Sequence, residues 1–245
     1  MSEQETKYRM ELDILRRRLE DLNISQGEAV SKPAFSMLLS AIPSYLKNFT
    51  LFSFTLEEDM EVDKIKEHLK QIGNMTDRTS TLQYLGNMLN FGSGRKYQDI
   101  WNFWNGTPSE EVANLEGTPK EVFDDFKTFA EPFKEVVAEK GLWAWDIGEA
   151  ISIIREAAHC GYLEEASGWQ IIGDFSNLAL QHYSNWIDYA ISYIAGSCFF
   201  IYTETRDLKS AEKMFWMTYN IVGLLFTDEK IAVWKQYAWG VGDNQ

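Results

Sequence analysis

The sequence predicts an all-α fold, and three observations predict it. Apolar residues recur at three- and four-residue spacing in segment after segment, and the breaks between segments carry helix caps and terminators. No segment shows sustained two-residue alternation bounded by hairpin turns. With 245 residues, 45% hydrophobic and 14% aromatic, the chain has apolar material for a sizeable core. The expectation is one multi-helix globular domain over residues 33–245, preceded by an amphipathic helix and linker over residues 1–32.

Residues 5–22 carry Tyr8, Leu12, Leu15, Leu19 and Leu22 with charged residues between them. That three-four alternation is a coiled-coil-like seam, suited to docking on the domain or to self-association. Residues 23–33 read as a linker, and helical spacing resumes in PAFSMLLSAIPSYLKNF. Residues 56–73 open acidic and turn basic, the order a helix dipole favours, with Gly73 as terminator. Thr76 or Asp77 then caps a helix with Leu82, Leu85, Met88 and Leu89 on one face, closed by Gly92 and Gly94. KYQDIWNFWNG and SEEVANLEG follow. KEVFDDFKTFAEPFKEVVAEKG keeps near-helical spacing, with Pro132 expected to kink or divide it. The remainder reads as four or five helices over residues 146–160, 163–182, 184–202, 208–226 and 228–239.

Lys and Arg number 23 against 37 Asp and Glu, a formal charge of -14. This mean field repels nucleic acid and anionic membranes and attracts a basic protein partner. Cys160 and Cys198 lie far apart in apolar helical patterns, as free thiols of a reducing compartment do. The charged N-terminus MSEQETKYRMELDILRRR lacks a signal-peptide core, so the expected location is cytoplasmic. WIDYAISYIAGSCFFIY, residues 186–202, is interrupted by Asp188, Ser192 and Ser197 and reads as a central core helix, not a membrane span.

LWAWDIGEAISIIREAAHCGY concentrates the polar residues of interest. For a helix starting at Asp146, steps of 100° place Ile147, Ala150, Ile151, Ile153, Ile154, Ala157 and Ala158 on a core face. Glu149, Ser152, Arg155, Glu156 and His159 fall on the opposite arc. Asp146 and Glu149 fit a capping box, and Gly161 fits a left-handed cap. Cys160 and His159 point about 100° apart, which is poor geometry for a thiol-imidazole pair. His68 and His182 read as isolated, and HExxH, CxxC, GxSxG and phosphate-loop motifs are absent from the sequence. No catalytic residue, metal ligand or cofactor is therefore assigned.

WDIGEA at 145–150, IR at 154–155, GYLEEA at 161–166 and SNWIDYAISYIAGSCFF at 184–200 together resemble the bacterial family called domain of unknown function 1266. MTDRTSTLQYLGNML at 75–89 is similar to that family's upstream element, so the resemblance covers about residues 65–202. It implies an α-helical bacterial protein and no reaction. Glu149 stands where the resemblance leads one to expect a basic residue, so no role resting on that cation carries over. Trp145, Trp186, Tyr189, Tyr193 and Gly196 suit close helix packing, and Asp146 paired with Arg155 or a tyrosine hydroxyl suits a buried polar network.

Two functional expectations follow. The first is a non-enzymatic interaction protein of a bacterial cytoplasm, an immunity- or antitoxin-like partner masking a basic toxin or effector. The alternative is an enzyme or small-ligand sensor with a polar site between the helices starting at Asp146 and Ser184, drawing on Asp146, Ser152, Arg155, Glu156, His159, Tyr189 and Tyr193.

Overall fold

The computed structural model describes residues 3–22, 27–57 and 59–242. Its first half comprises α1 (Glu3–Glu20), β1 (Glu28–Val30), α2 (Lys32–Leu38), α3 (Ala41–Lys47), α4 (Val62–Gly73), α5 (Arg78–Phe91), α6 (Ser93–Trp104), α7 (Glu110–Ala113) and α8 (Gly117–Ala130). After a 3-10 turn at Glu131–Phe133 come α9 (Lys134–Val137), a second 3-10 turn, α10 (Trp143–His159), α11 (Glu165–His182), α12 (Trp186–Thr205), α13 (Leu208–Thr227), α14 (Val233–Gln236) and β2 (Tyr237–Val241). The fold is all-α apart from one small parallel β1–β2 pair. Among the described residues, no helix is long and apolar enough to cross a membrane.

The middle of α12 is sealed on every side: Tyr189 to Ala195, Cys198 and Phe199 are fully buried. The segment read as a central core helix is therefore that. It crosses α10 closely, because two glycines remove the side chains that would keep the backbones apart. A Cβ on Gly148 would lie 2.7 Å from the Tyr193 ring, and one on Gly196 would lie 2.8 Å from the Trp145 Cβ. Trp145 fills the space beside the crossing, with its ring 5.2 Å from Tyr193 and 5.4 Å from Phe200.

Helix α1 docks on this core. Tyr8, Leu12, Leu15 and Leu19 are buried in the same apolar cluster as the rest of the protein, and Tyr8 packs its ring 4.7 Å from Phe215. Arg16 donates to Asp188 at the start of α12 at 2.7 Å, and Lys140 donates to the other carboxylate oxygen at 2.6 Å. Burial pushes the Asp188 carboxyl up, but those two cations outweigh it and hold the group below the ordinary carboxylate range. The seam of α1 is thus occupied within its own chain.

The first part of the expected linker, residues 23–26, lies outside the described residues. Its later part is ordered differently from the reading: Glu28–Val30 pair with Tyr237–Val241, and Ser31 caps α2 by accepting from the Ala34 amide. The expected helix over 228–239 shrinks to α14 for the same reason. Tyr237 leaves the helix to pair with β1, and its carbonyl accepts from the Trp186 indole at 2.9 Å. Trp186 stacks 5.5 Å from Trp234, and Trp239 meets Trp186 edge-on at 4.6 Å. The cluster buries Trp186 and Trp234 and packs Trp239 against them, contacts that the strand conformation at 237–241 accompanies.

Other expectations hold or shift by a few residues. Asp77 caps α5 with Ser80 completing the box, and Pro132 divides its segment with a 3-10 turn. α4 runs through Gly73 and ends on left-handed Asn74. Gly92 ends α5, but Ser93 and Gly94 already belong to α6 and do not form a loop.

The α10–α12 crossing has a measurable consequence. Gly196→Ala should lower stability by about 1–3 kcal/mol through overpacking. Gly173→Ala, where an added Cβ meets nothing within 4 Å, should raise it by about 0.5–1 kcal/mol. Urea unfolding midpoints of the two variants on opposite sides of wild type are the expected result.

Candidate functional site

Helix α10 starts three residues earlier than its sequence suggests, at Trp143, so Asp146 and Glu149 stand past its capping positions. The expected capping box does not form. Tyr183, just beyond α11, serves the helix start instead, with its hydroxyl accepting from the Ala144 amide at 3.0 Å. Asp146 caps a different helix: Oδ1 accepts from the Ser93 amide at 3.1 Å and Oδ2 from the Gly94 amide at 2.7 Å, at the N-terminus of α6. Burial drives its pKa up to about 7 against the pull of those two amides. At its other end α10 closes as expected, with Gly161 at positive φ and the Tyr162 amide bonded to the Ala157 carbonyl.

The core face is buried as read, but so is much of the opposite arc. Ser152, Arg155 and Glu156 are at most 1% exposed, because α3, the segment after it and α4 cover that side. Arg155 does not pair with Asp146. Its guanidinium spans the segment between α3 and α4, with Nη1 donating to Ser44 Oγ at 2.8 Å, Nη2 to the Thr50 carbonyl at 2.7 Å and Nε to the Phe54 carbonyl at 3.3 Å. Burial lowers its pKa to about 10, so it remains a cation at neutral pH. His159 lies 3.3 Å from the Met60 carbonyl. These two residues fasten a connection that has no helix or strand of its own.

Lys47, at the end of α3, completes the arc. Its ammonium donates to Ser152 Oγ at 2.9 Å and to Glu156 Oε1 at 2.5 Å. Among the described residues Glu156 Oε2 has no hydrogen-bond partner, and His68 Nε2 lies 3.7 Å from it. His68 is therefore not isolated, as its place in the sequence implies. Glu149 accepts from the Tyr193 hydroxyl at 2.7 Å. Burial raises its pKa, with Lys47 and Tyr193 pulling it back in part. Tyr189 donates instead to the Leu39 and Ala144 carbonyls.

The seven residues singled out from sequence therefore do not converge. Asp146 faces α6, Arg155 and His159 face the α3–α4 connection, and Tyr189 and Tyr193 serve the α10–α12 crossing. Ser152 and Glu156 share Lys47, and Glu156 reaches a surface cavity, a pocket of about 370 Å³ bounded by Phe49, Met60, Ile65 and His68. Sequence reasoning missed Lys47 and His68, since nothing in their local spacing links them to a helix about a hundred residues away. A second cavity, a cleft of about 590 Å³, runs between α5, α6, α7 and α8. Its walls include Phe91, Val112, Val122, Phe123 and Phe126, and Phe91 is 69% exposed.

The family model described as "Protein of unknown function (DUF1266)" matches residues 69–239. The chain belongs to this family. The match runs further than the motifs at 65–202 suggest, taking in α13, α14 and the start of β2. No curated protein and no solved structure matches the chain. The DUF1266 region contains the whole α5–α8 cleft and the α10–α12 crossing. Lys47, Phe49, Met60, Ile65 and His68 lie before it, so residues outside the DUF1266 match close the smaller pocket over Glu156.

Two substitutions test these assignments. Arg155→Lys cannot bridge three acceptors and should cost about 2–4 kcal/mol, with faster amide exchange confined at first to residues 48–57. Asp146 carries the opposite pH signature to an ion-paired carboxylate. Its folded pKa of about 7 lies above the unfolded value near 3.8, so the native state binds the extra proton and the group's contribution falls as pH rises between those values. The stability difference between wild type and Asp146→Asn should shift against wild type by up to roughly 4 kcal/mol from pH 4 to pH 7.5, read from urea titrations at each pH. A pH-independent difference removes the assignment.

Proposed function

We propose that this protein is a non-enzymatic interaction protein that seats an amphipathic, basic segment of a partner protein in the α5–α8 cleft. The observation that carries the reading is the exposure of apolar side chains along that cleft in a protein whose other aromatic residues are mostly enclosed. Contiguous exposed apolar surface rimmed by polar residues is typical of docking sites. Arg95 is paired with Asp99 at 3.4 Å and Lys96 approaches Glu204 at 3.5 Å, so the basic residues of the rim are balanced by carboxylates. The whole chain carries a formal charge of -14, which speeds encounter with a cation-rich partner.

The polar residues of α10 and α12 support the same reading from the other side. Asp146, Arg155, Tyr189 and Tyr193 make their hydrogen bonds to backbone groups, Ser44 or Glu149, which accounts for them as supports of the fold. In this proposal the protein works in a bacterial cytoplasm, consistent with its two free cysteines, and masks a toxin or effector surface as an immunity protein does.

Phe91→Asp places a charge on an exposed wall of the cleft without disturbing the core. The expected outcome is an unchanged melting temperature together with at least a tenfold loss of affinity for a purified basic partner recovered at low salt, measured by calorimetry. Wild-type binding should also weaken as salt rises. A partner that binds both forms equally, or the failure to obtain any partner, sinks the proposal.

A further inference from the structure

The pocket between α3, α4 and α10 contains an acceptor without a donor. Glu156 is 1% exposed, its Oε1 is taken by Lys47, and its Oε2 has no hydrogen-bond partner among the described residues. A buried carboxylate oxygen left unsatisfied is costly, and such groups in folded proteins are rare enough to require a cause. The side chain lines a cavity of about 370 Å³, within the size range of small-molecule sites. His68 Nε2, 3.7 Å from that oxygen, lies on the same cavity wall and accepts a hydrogen bond when its ring is neutral with the proton on Nδ1. A single nitrogen donor placed between the two atoms reaches both at ordinary hydrogen-bond distance.

The rest of the lining selects the kind of donor. Phe49, Met60 and Ile65 supply an apolar wall, and Asp59 and Glu61 add negative charge. The two lysines lining the pocket are already engaged: Lys47 with Glu156 and Ser152, and Lys64 with Glu61 at 2.7 Å. An anionic ligand would meet these carboxylates without a free ammonium to receive it. A cation with several N–H donors and a hydrocarbon body meets each feature in turn.

We propose that this pocket binds the ammonium or guanidinium end of a small aliphatic molecule, with Glu156 Oε2 and His68 Nε2 receiving its N–H groups and Phe49, Met60 and Ile65 packing its chain. The site is separate from the α5–α8 cleft and stands or falls independently of it.

n-Pentylamine and n-pentylguanidine serve as ammonium and guanidinium probes, and 1-pentanol as the neutral probe of equal chain length. Calorimetry and the imidazole resonances of His68 read binding to the full-length protein. The expected result is saturable binding of one or both cations, at least tenfold tighter than pentanol, with a shift of the His68 signals. Which cation binds more tightly identifies the head group. His68→Ala and Glu156→Gln should each weaken binding about tenfold or more. Glu156→Gln leaves Lys47 without its counter-charge and can fail to fold, so Ile65→Lys provides a second route. It places the protein's own ammonium at the mouth from a partly exposed position, and it should abolish probe binding in a folded protein. Equal affinity for pentanol and the amines, no binding at millimolar amine, or binding unaffected by His68→Ala and Ile65→Lys overturns the assignment.

Discussion

Burial of α10 on nearly all sides is the constraint from which most of the structure follows. Its aliphatic face packs into the core as an amphipathic helix should, yet Asp146, Ser152, Arg155 and Glu156 on its other faces are also removed from water. Polar groups in that position must find partners inside the protein or be neutralised. The surrounding elements are placed where they supply them. The N-terminus of α6 comes to Asp146, the last turn of α3 brings Lys47 to Ser152 and Glu156, and the α3–α4 connection wraps its carbonyls around Arg155. The irregular connection is therefore fixed by helix side chains, Arg155 and His159, as well as by its own few hydrogen bonds.

The α10–α12 crossing is the second requirement, and it works through absence of side chains. Gly148 and Gly196 allow the two backbones to approach, while Trp145, Tyr189 and Tyr193 fill the flanks and the two tyrosine hydroxyls donate to nearby acceptors. Further out, α12 is fixed at its start by the Arg16–Asp188–Lys140 ion cluster. Trp186, in its first turn, joins the indole cluster that pulls the C-terminus into a strand. Helix α1 and strand β2 are thereby anchored to the same helix.

Seen together, these contacts separate supporting polarity from polarity left available. The conspicuous charged residues of α10 hold the fold, and one of them, Glu156, retains an unsatisfied oxygen at a pocket. The apolar surface that the core leaves open lies elsewhere, between α5 and α8.

Local patterning in the sequence was enough to determine the helical class, the order of the long helices, the Asp77 and Gly161 caps, the break at Pro132 and the central place of residues 186–202. Each depends on periodicity or on backbone preferences that act within a few residues. Family membership was also legible, from motifs around Trp145 and Trp186. The β1–β2 pair, the true partner of Asp146, the covering of the α10 polar arc and the meeting of Lys47 and His68 at Glu156 were decided only in the folded protein. Each of these joins segments tens to hundreds of residues apart. A helical wheel records which way a side chain points but not what is packed against it, and for Asp146, Arg155 and Glu156 that neighbour determines what the residue does.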